Sequence, residues 1–255
     1  MAVVLGYANQ TDLSTLAGGS WNASYPITNL QNRYLSQVAR TSNALATSSI
    51  ITIDLGLALQ IGVVALISHN LTVSATVRIR GADNSGMTSP LYDSGAIGIY
   101  EHTDYAASFS SVYARYWKID IVDIANPAGY IQIGRLFIGQ RFKPTFNCDW
   151  GVSFGVESTT EVLASLNGPE YFNDRPNRRT WKGSWANLTD IEAYRTFMTL
   201  QRDQDVSAEV YFFEDDEDIT FRDIRWFYAR FRTLSTVEWP YIDRHSAGIE
   251  IGELL

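Results

Sequence analysis

The chain contains little cysteine, and it has no long apolar run. Cys148 is the single cysteine among 255 residues, which excludes a disulfide within the chain and a zinc or iron–sulfur site built from several cysteines. The longest apolar run, residues 61–67, contains a glycine and is far shorter than the roughly 20 residues that a membrane helix needs. The N-terminus lacks the basic and apolar segments of a secretion signal. We therefore expect synthesis in a reducing cytoplasm and no membrane insertion.

Residues arranged for catalysis are also scarce. The three histidines, His69, His102 and His245, lack the H-x-x-x-H and H-E-x-x-H spacings of metal sites, and Cys148 has no histidine near it in sequence. No G-x-S-x-G, P-loop or G-x-G-x-x-G motif occurs. A carboxylate pair such as Asp120 and Asp123 would serve a glycosidase only at a defined separation. We predict a protein that is not an enzyme and that binds no metal or cofactor.

Positive charge is sparse and unevenly distributed. The formal net charge is −8; residues 1–140 contribute −1 (8 acidic, 7 basic) and residues 141–255 contribute −7 (20 acidic, 13 basic). This balance argues against a nucleic-acid partner, because phosphate binding depends on clustered basic residues. Only 3 of the 20 basic residues are lysine. Arginine is enriched at protein interfaces, which fits a subunit that docks on others, although a genomic bias towards arginine explains the same composition.

Alternating apolar and polar residues predict β-strands throughout the first 140 residues. Ile51, Ile53 and Leu55 alternate with polar residues, which is typical of a strand with one buried face. The same pattern occurs in three further segments, residues 73–80, 116–121 and 130–139. Clusters of Gly, Asn, Asp and Ser separate these segments, so the sequence predicts an all-β sandwich.

Three segments together resemble a known family. They are Ser49–Gly56 (SIITIDLG), Ile61–Thr72 (IGVVALISHNLT) and Ala114–Val122 (ARYWKIDIV). The chain here resembles a discoidin-like, galactose-binding jelly roll, in which an I-x-I-D-L-G strand comes early and an A-R-Y-W/I-x-I strand comes late. The resemblance covers residues 1–140, and it implies an adhesion or interaction module.

The second half is predicted to combine strands with one helix. A linker is expected at residues 140–146, followed by a second domain at 145–255 with strands at 150–156, 179–185, 208–213 and 219–231. Thr189 and Glu192 form a capping-box pattern that begins a helix of about 12 residues. Its predicted buried stripe comprises Ile191, Tyr194 and Met198, with Phe197 and Gln201 as further members.

A second resemblance involves residues 178–192 (RRTWKGSWANLTDIE), the helix and the strands that follow. This order resembles the tail-tube-like β-sandwich with one flanking α-helix found in distal tail and minor tail proteins of long-tailed phages. It implies a structural component of a phage tail tip or baseplate in the virion. Such a protein would form a homo-oligomeric ring, with a hexamer favoured, and would contact the tail tube and the tail-tip hub. The jelly roll would face outward, towards a host cell-surface glycan.

Two other functions fit the same features. One is a carbohydrate-binding lectin or adhesion module that is not part of a virion, and the other is an accessory module of a glycan-degrading enzyme. Candidate ligand-binding residues are Trp21 and Tyr25, in a loop rich in Gly, Ser and Asn, and His69, which follows a strand. The alternatives are structural: Trp21 plugs the end of the sandwich, and His69 caps the turn that follows the strand.

The predicted oligomer interface lies in the acidic second half. Its residues are Arg222, Arg225, Trp226, Tyr228 and Arg230, with Phe227 and Phe231 as further apolar anchors. The acidic run 214–218 would oppose the arginines of a neighbouring subunit. By itself this run is typical of a solvated turn, and the D-x-D-x-D-G spacing of a calcium loop is missing.

Overall fold

The computed structural model describes residues 2–99, 104–165 and 168–255. The chain divides into two compact units. The N-terminal unit comprises Gly6–Arg141 and Ile219–Trp226, and the C-terminal unit comprises Met1–Leu5, Phe142–Asp218 and Phe227–Leu255. Within the described ranges, no helix has the length and apolar character required to span a membrane.

The strands up to residue 142 are long in the middle and short at the start. They are β1 (Val4–Tyr7), β2 (Thr15–Ala17), β3 (Ala39–Arg40), β4 (Ile50–His69), β5 (Thr76–Ala82), β6 (Tyr92–Asp93), β7 (Ile97–Gly98), β8 (Tyr105–Val122) and β9 (Gln132–Phe142). Two 3-10 helices, Thr11–Leu13 and Ile27–Gln31, connect the early strands.

Two bent strands build the sandwich of the N-terminal unit. The strand order is β9-β4-β8-β5-β6, with β2 paired to β4, β3 to β9 and β7 to β5. The register of β4 against β8 shifts between Asp54 and Leu59 and again between Ile61 and Val63. Such bulges bend a strand, so the first part of β4 pairs with β2 and its last part pairs with β9. The bends allow β4 and β8 to contribute to both layers.

The core of this unit comes from the inward-facing residues of those strands. Ile51 and Ile53 of β4, Ile79 of β5, and Trp117 and Ile119 of β8 are all buried in one cluster. Their alternation with exposed or half-buried neighbours is the pattern seen in the sequence. The prediction of a mainly β fold with an N-terminal jelly-roll sandwich is therefore confirmed.

The later strands comprise five neighbouring strands of sheet and two hairpins. They are β10 (Ser153–Glu157), β11 (Glu161–Ala164), β12 (Glu170–Asn173), β13 (Arg178–Leu188), β14 (Val210–Phe213), β15 (Trp226–Thr233), β16 (Glu238–Tyr241) and β17 (Arg244–Glu253). The order within the sheet is β10-β13-β17-β15-β14. Strand β16 pairs with β17, and β11 and β12 pair only with each other in the described chain.

The predicted helix begins as the capping box requires. The Thr189 hydroxyl and backbone N–H both donate to Glu192 Oε2 at 2.9 Å, and the Glu192 N–H donates to Thr189 Oγ1 at 3.3 Å. The first part, Ile191–Met198, is a π-helix, and the second part is the α-helix α1 (Thr199–Gln204). Burial by itself would raise the pKa of the Glu192 carboxyl, but the hydrogen bonds from Thr189 and Thr145 together outweigh it, so the pKa lies below its ordinary value.

The buried face of the helix differs from the prediction. Ile191, Tyr194 and Met198 are exposed, whereas the predicted further members Phe197 and Gln201 are buried together with Ala193, Leu200 and Gln204. Both sets have helical spacing, so periodicity alone does not select one of them. The ring of Phe197 packs edge-on against Trp185 of β13 with a centroid distance of 6.1 Å. This contact directs the helix face that carries Phe197 towards the sheet.

Residues 219–231 do not form one strand as predicted. The N–H groups of Ile224 and Arg225 donate to the carbonyl of Phe221 at 3.1 and 2.9 Å, so the backbone closes one helical turn, α2 (Arg222–Arg225). Strand β15 begins only at Trp226.

The acidic run is not a fully solvated turn. Glu214 and Asp215 are buried, and the Asp215 carboxylate accepts hydrogen bonds from the N–H groups of Ala2 and Glu217. Lys143 Nζ donates to both oxygens of Asp216 at 3.0 and 3.1 Å. The first acids of the run are thus held by protein donors.

Candidate functional site

A glycine turn positions Trp21 at one edge of the sandwich. Gly18 and Gly19 have φ values of 89° and 63°, and a Cβ on Gly19 would lie 2.5 Å from the Ser48 carbonyl oxygen. Only glycine fits such a close approach with positive φ. Trp21 Nε1 donates to the Gly18 carbonyl at 3.0 Å, and its half-buried ring packs on the core. Trp21 therefore closes the sandwich edge and leaves part of its ring accessible.

Tyr25 belongs to a cluster with an arginine and a second tyrosine. The Arg40 N–H donates to the Tyr25 carbonyl at 3.0 Å, which places the two residues side by side. The Arg40 guanidinium carbon lies 4.2 Å from the ring centroid of Tyr25 and 5.1 Å from that of Tyr130. Arg40 Nε donates to Gln132 Oε1 at 2.8 Å. We call Tyr25, Arg40, Tyr130 and Gln132 the tyrosine–arginine cluster.

The cluster is partly open to solvent. Tyr25 is 36% exposed, and the other three members are half-buried. A guanidinium near an aromatic ring is held by the ring quadrupole, so the arginine is oriented before any ligand arrives. The arrangement presents an aromatic surface beside cationic and amide hydrogen-bonding groups. Sequence reasoning found Tyr25 but missed Arg40 and Tyr130, because no local pattern links residues so far apart.

Asparagines fix the loop that carries Tyr130. Asn70 Nδ2 donates to the Tyr130 carbonyl at 3.1 Å, and Asn70 Oδ1 accepts the Gln132 N–H at 2.8 Å. Asn126 Nδ2 donates to the Asn70 carbonyl at 2.9 Å and to Asp123 Oδ2 at 2.8 Å. These bonds hold both ends of the Tyr130 segment in place.

A buried arginine supports the segment between Tyr25 and Arg40. Arg135 in β9 has a fully buried side chain, and its Nη1 donates to Asp12 Oδ1 at 2.6 Å and to the Leu30 carbonyl at 3.2 Å. Leu30 lies in the 3-10 helix Ile27–Gln31. The guanidinium thus ties this helix to β9.

His69 lies on the other side of the sheet from the cluster. It pairs with Ile133, whereas Arg40 pairs with Gln132, the preceding residue of β9. Successive side chains of a strand point to opposite faces, so His69 and Arg40 project in opposite directions. His69 is buried, and its Nδ1 accepts the Leu71 N–H at 3.2 Å. The structure therefore does not bring His69 to the cluster that contains Tyr25.

Groups considered for chemistry have structural partners. Asp123 accepts hydrogen bonds from the N–H and hydroxyl of Thr72 at 2.9 and 2.7 Å, and Asp120 binds Lys118 at 3.1 Å. Burial raises the pKa of the Cys148 thiol, which keeps it protonated. His245 Nε2 lies 2.7 Å from Asp190, while His102 lies outside the described residues. No group of three or more metal-ligating residues occurs in the described ranges.

The five predicted interface residues differ in the unit to which they belong and in their burial. Arg222, Arg225 and Trp226 belong to the N-terminal unit, and the Arg222 guanidinium lies 5.0 Å from the Trp226 ring. Tyr228 belongs to the C-terminal unit and is buried, with its hydroxyl donating to Glu209. Arg230 is half-buried and donates to the Val206 carbonyl at 3.4 Å.

Burial also removes the predicted apolar anchors from the surface. Phe227 and Phe231 are fully buried in the core, and Tyr228 is almost fully buried. These three rings are therefore not accessible to a neighbouring subunit. The reason is that β15 is covered on both of its faces, since the consecutive residues Phe227, Tyr228 and Ala229 are all buried.

No protein-family model matches the chain, and no curated protein matches it in sequence. Similar solved structures include the lectin domain of lectinolysin complexed with Lewis B antigen (14% identity, 52% of this chain, 96% of that chain, TM-score 0.42). A second is the family 32 CBM from C. perfringens NanJ in complex with galactose (16% identity, 54% of this chain, 99% of that chain, TM-score 0.42). A third is a Streptococcus pneumoniae fucose binding module (14% identity, 52% of this chain, 96% of that chain, TM-score 0.42). With identities and TM-scores this low, the function has to be judged from the chain's own residues.

Proposed function

We propose that the N-terminal unit is a non-catalytic glycan-binding module and that the tyrosine–arginine cluster is its binding site. The observation that carries this proposal is the Arg40 guanidinium lying over the rings of both Tyr25 and Tyr130. Ligand sites in proteins combine apolar surface with a few placed polar groups. The partly exposed ring of Tyr25 supplies the apolar surface here, and Arg40 and Gln132 supply the polar groups.

A sugar fits this chemistry for a physical reason. One face of a pyranose ring presents C–H groups that pack on an aromatic ring, while its hydroxyls exchange hydrogen bonds with polar side chains. Arg40 is a donor only, and the Gln132 amide both donates and accepts. Because these groups are already oriented by contacts within the protein, little side-chain entropy is lost when a ligand binds.

Replacing Tyr25 by alanine is expected to weaken glycan binding by at least about tenfold, equivalent to about 1.4 kcal/mol. The change removes the accessible aromatic ring and one of the two rings that orient Arg40. The measurement is binding of the full chain to an array of host-type and bacterial cell-surface glycans, followed by calorimetry with the best binder. Tyr34→Ala is the control, because Tyr34 is an exposed tyrosine of a neighbouring loop. Equal affinity of Tyr25→Ala and the unmodified chain would contradict the proposal.

A second function involves the C-terminal unit. We propose that the chain is a structural subunit of a phage tail tip or baseplate, where this unit makes a homo-oligomeric ring, with a hexamer favoured, and contacts other tail proteins. The specific observation is the exposed apolar surface of two hairpins. In the β11–β12 ribbon Val162, Leu163, Tyr171 and Phe172 are all exposed, and in the β16–β17 hairpin Trp239, Tyr241 and Ile242 are exposed.

Such surfaces favour a partner. An isolated two-stranded ribbon is marginally stable in water, and contiguous exposed apolar residues mark interaction sites. Val162 faces Phe172, and Leu163 faces Tyr171, so each face of the ribbon carries one apolar pair. A neighbouring subunit would cover these pairs, and the jelly roll would remain available for a glycan.

Replacing Leu163 and Phe172 together by serine is expected to shift the chain from ring to monomer, because one apolar residue is lost from each face of the ribbon. Light scattering coupled to size-exclusion chromatography measures the mass of the particle. Leu13→Ser is the control, because Leu13 is an exposed apolar residue of the N-terminal unit. A chain that is monomeric at every concentration, and absent from purified virions, would refute the tail assignment.

A further inference from the structure

A pocket of about 220 Å³ lies on the N-terminal unit, and none of its lining residues belongs to the tyrosine–arginine cluster. Thr15 in β2 lies opposite Asp54 in β4, which in turn lies opposite Tyr116 in β8. Directly opposed residues project to the same face of a sheet, so these three side chains lie next to one another. Ser85 and Met87, from the turn after β5, complete the lining on one side.

The carboxylate in this pocket is oriented and already neutralised. Arg115 donates to Asp54 through Nε at 2.7 Å and through Nη2 at 2.9 Å, and the Gly56 N–H donates to Asp54 Oδ1 at 2.8 Å. The hydrogen bonds from Arg115, and next that from Gly56, lower the pKa of Asp54 below its ordinary value. Asp54 therefore stays ionised as an acceptor, while its pairing with Arg115 leaves no net charge to attract a cation or an anion.

The polar groups of the pocket are available to a ligand. Thr15, Thr52 and Ser85 line it, and none of their hydroxyls is hydrogen-bonded to another group of the described chain. Apart from these three residues, Asp54 and Tyr116, the lining is apolar and comprises Ala17, Ile53, Met87 and Trp117. Hydroxyl groups both donate and accept, so they match the hydroxyls of a polyol.

The register of β4 changes directly after Asp54. The shift between Asp54 and Leu59 contains Gly56 with φ of 79°, and bulges of this kind re-aim side chains beside binding sites. The bulge brings the Gly56 N–H within reach of the carboxylate.

We propose that this pocket binds a neutral polyhydroxylated molecule no larger than a single sugar ring. Its volume is below the roughly 300 Å³ at which drug-sized ligand pockets begin, which limits the occupant to one ring. The three hydroxyls and the Asp54 carboxylate pair with ligand hydroxyls, and the apolar lining packs on ligand C–H groups. The inference does not depend on the glycan site proposed above, because the two sites share no residue.

Methionine methyl groups provide a direct test on the full chain. The sequence has three methionines, of which Met87 lines the pocket and Met198 lies in the C-terminal unit. In a chain labelled with ¹³C-methyl methionine, galactose, glucose, mannose, L-fucose and myo-inositol are titrated one at a time. At least one of them is expected to shift the Met87 signal saturably and to leave the Met198 signal in place.

Single substitutions test whether the Met87 shift arises from binding inside this pocket. Thr52→Val removes one hydroxyl at nearly constant shape and is expected to weaken binding about two- to tenfold, while Thr76→Val, outside the pocket, should have no effect. Ala17 lines the pocket and is an exposed residue, so Ala17→Phe places a large side chain in the pocket without changing the core. This variant is expected to abolish the Met87 shift. Tyr25→Ala should leave the Met87 shift unchanged even if it abolishes glycan binding at the cluster.

Either of two results would overturn the proposal. The first is a Met87 signal that none of the five compounds shifts at up to about 50 mM, where a ligand of millimolar affinity saturates its site. The second is a shift that persists undiminished in Ala17→Phe.

Discussion

Replacing Arg135 by alanine is expected to lower the free energy of unfolding of the N-terminal unit by about 2–5 kcal/mol. The side chain of Arg135 is fully buried, and its guanidinium holds the Asp12 carboxylate and the Leu30 carbonyl. Alanine leaves a cavity and removes the donor of both bonds. A buried carbonyl that loses a hydrogen-bond partner costs free energy because water does not replace that partner.

Hydrogen exchange of the β4 and β9 amides measures this loss within the full chain. If the free energy of unfolding falls by about 3 kcal/mol, the amide hydrogens of these strands exchange more than about a hundredfold faster. Arg78→Ala is the matched control, because Arg78 forms an equally direct ion pair with Asp93 but is 44% exposed. Exposed ion pairs contribute little, so exchange in the control should stay close to that of the unmodified chain. Similar exchange in both variants would show that Arg135 is not a structural anchor.

Replacing Gly183 by alanine is expected to destabilise the C-terminal unit by about 3 kcal/mol, at the upper end of the range for overpacked cores. A Cβ at Gly183 would lie 2.3 Å from Cη2 of Trp181, far inside van der Waals contact. Trp181 is fully buried, with its ring 4.9 Å from that of Phe212 and 6.0 Å from that of Trp185. Because Phe212 and Trp185 pack against the indole, moving it away from a new Cβ would disrupt these contacts.

Gly155→Ala in β10 is the control for the Gly183 substitution. A Cβ at Gly155 would lie 3.5 Å from Thr180 Oγ1, an ordinary contact. Alanine at a compatible position reduces the entropy of the unfolded chain and stabilises by about 0.4–1 kcal/mol. Urea unfolding followed by tryptophan fluorescence should therefore shift in opposite directions for the two variants. A neutral Gly183→Ala would mean that the Trp181 ring has another place to pack.

The two substitutions also test whether the units unfold separately. Arg135 lies in the N-terminal unit and Gly183 in the C-terminal unit. If each unit has its own cooperative transition, Arg135→Ala should accelerate exchange in β4 and β9 but not in β13 and β17. Gly183→Ala should do the reverse.

Features that depend on neighbours in sequence were predictable. The period of two at Ile51, Ile53 and Leu55 predicted a strand with one buried face, and these three residues are buried. The Thr189 and Glu192 pair predicted the start of the helix, and its reciprocal hydrogen bonds are present. Backbone periodicity and capping involve residues within one turn or one strand, so a single sequence contains the whole pattern.

Tertiary structure decided everything that depends on which distant surfaces meet. The helix has two apolar stripes of equal spacing, and only packing against Trp185 selected the one with Phe197. Tyr228 in strand β15 is buried in the core, whereas the sequence analysis predicted that it lies at an oligomer interface.

The site itself shows the same division. The loop of Trp21 and Tyr25 was recognisable from its glycines and aromatics, but Arg40 and Tyr130 reach Tyr25 only through pairing of β3 with β9. The sequence by itself therefore determined the mainly β class and the helix start, since local backbone preferences specify them. The composition of the tyrosine–arginine cluster, the position of Arg135 and the pocket beside Asp54 were decided by strand register, because register determines which side chains of separate strands share a face.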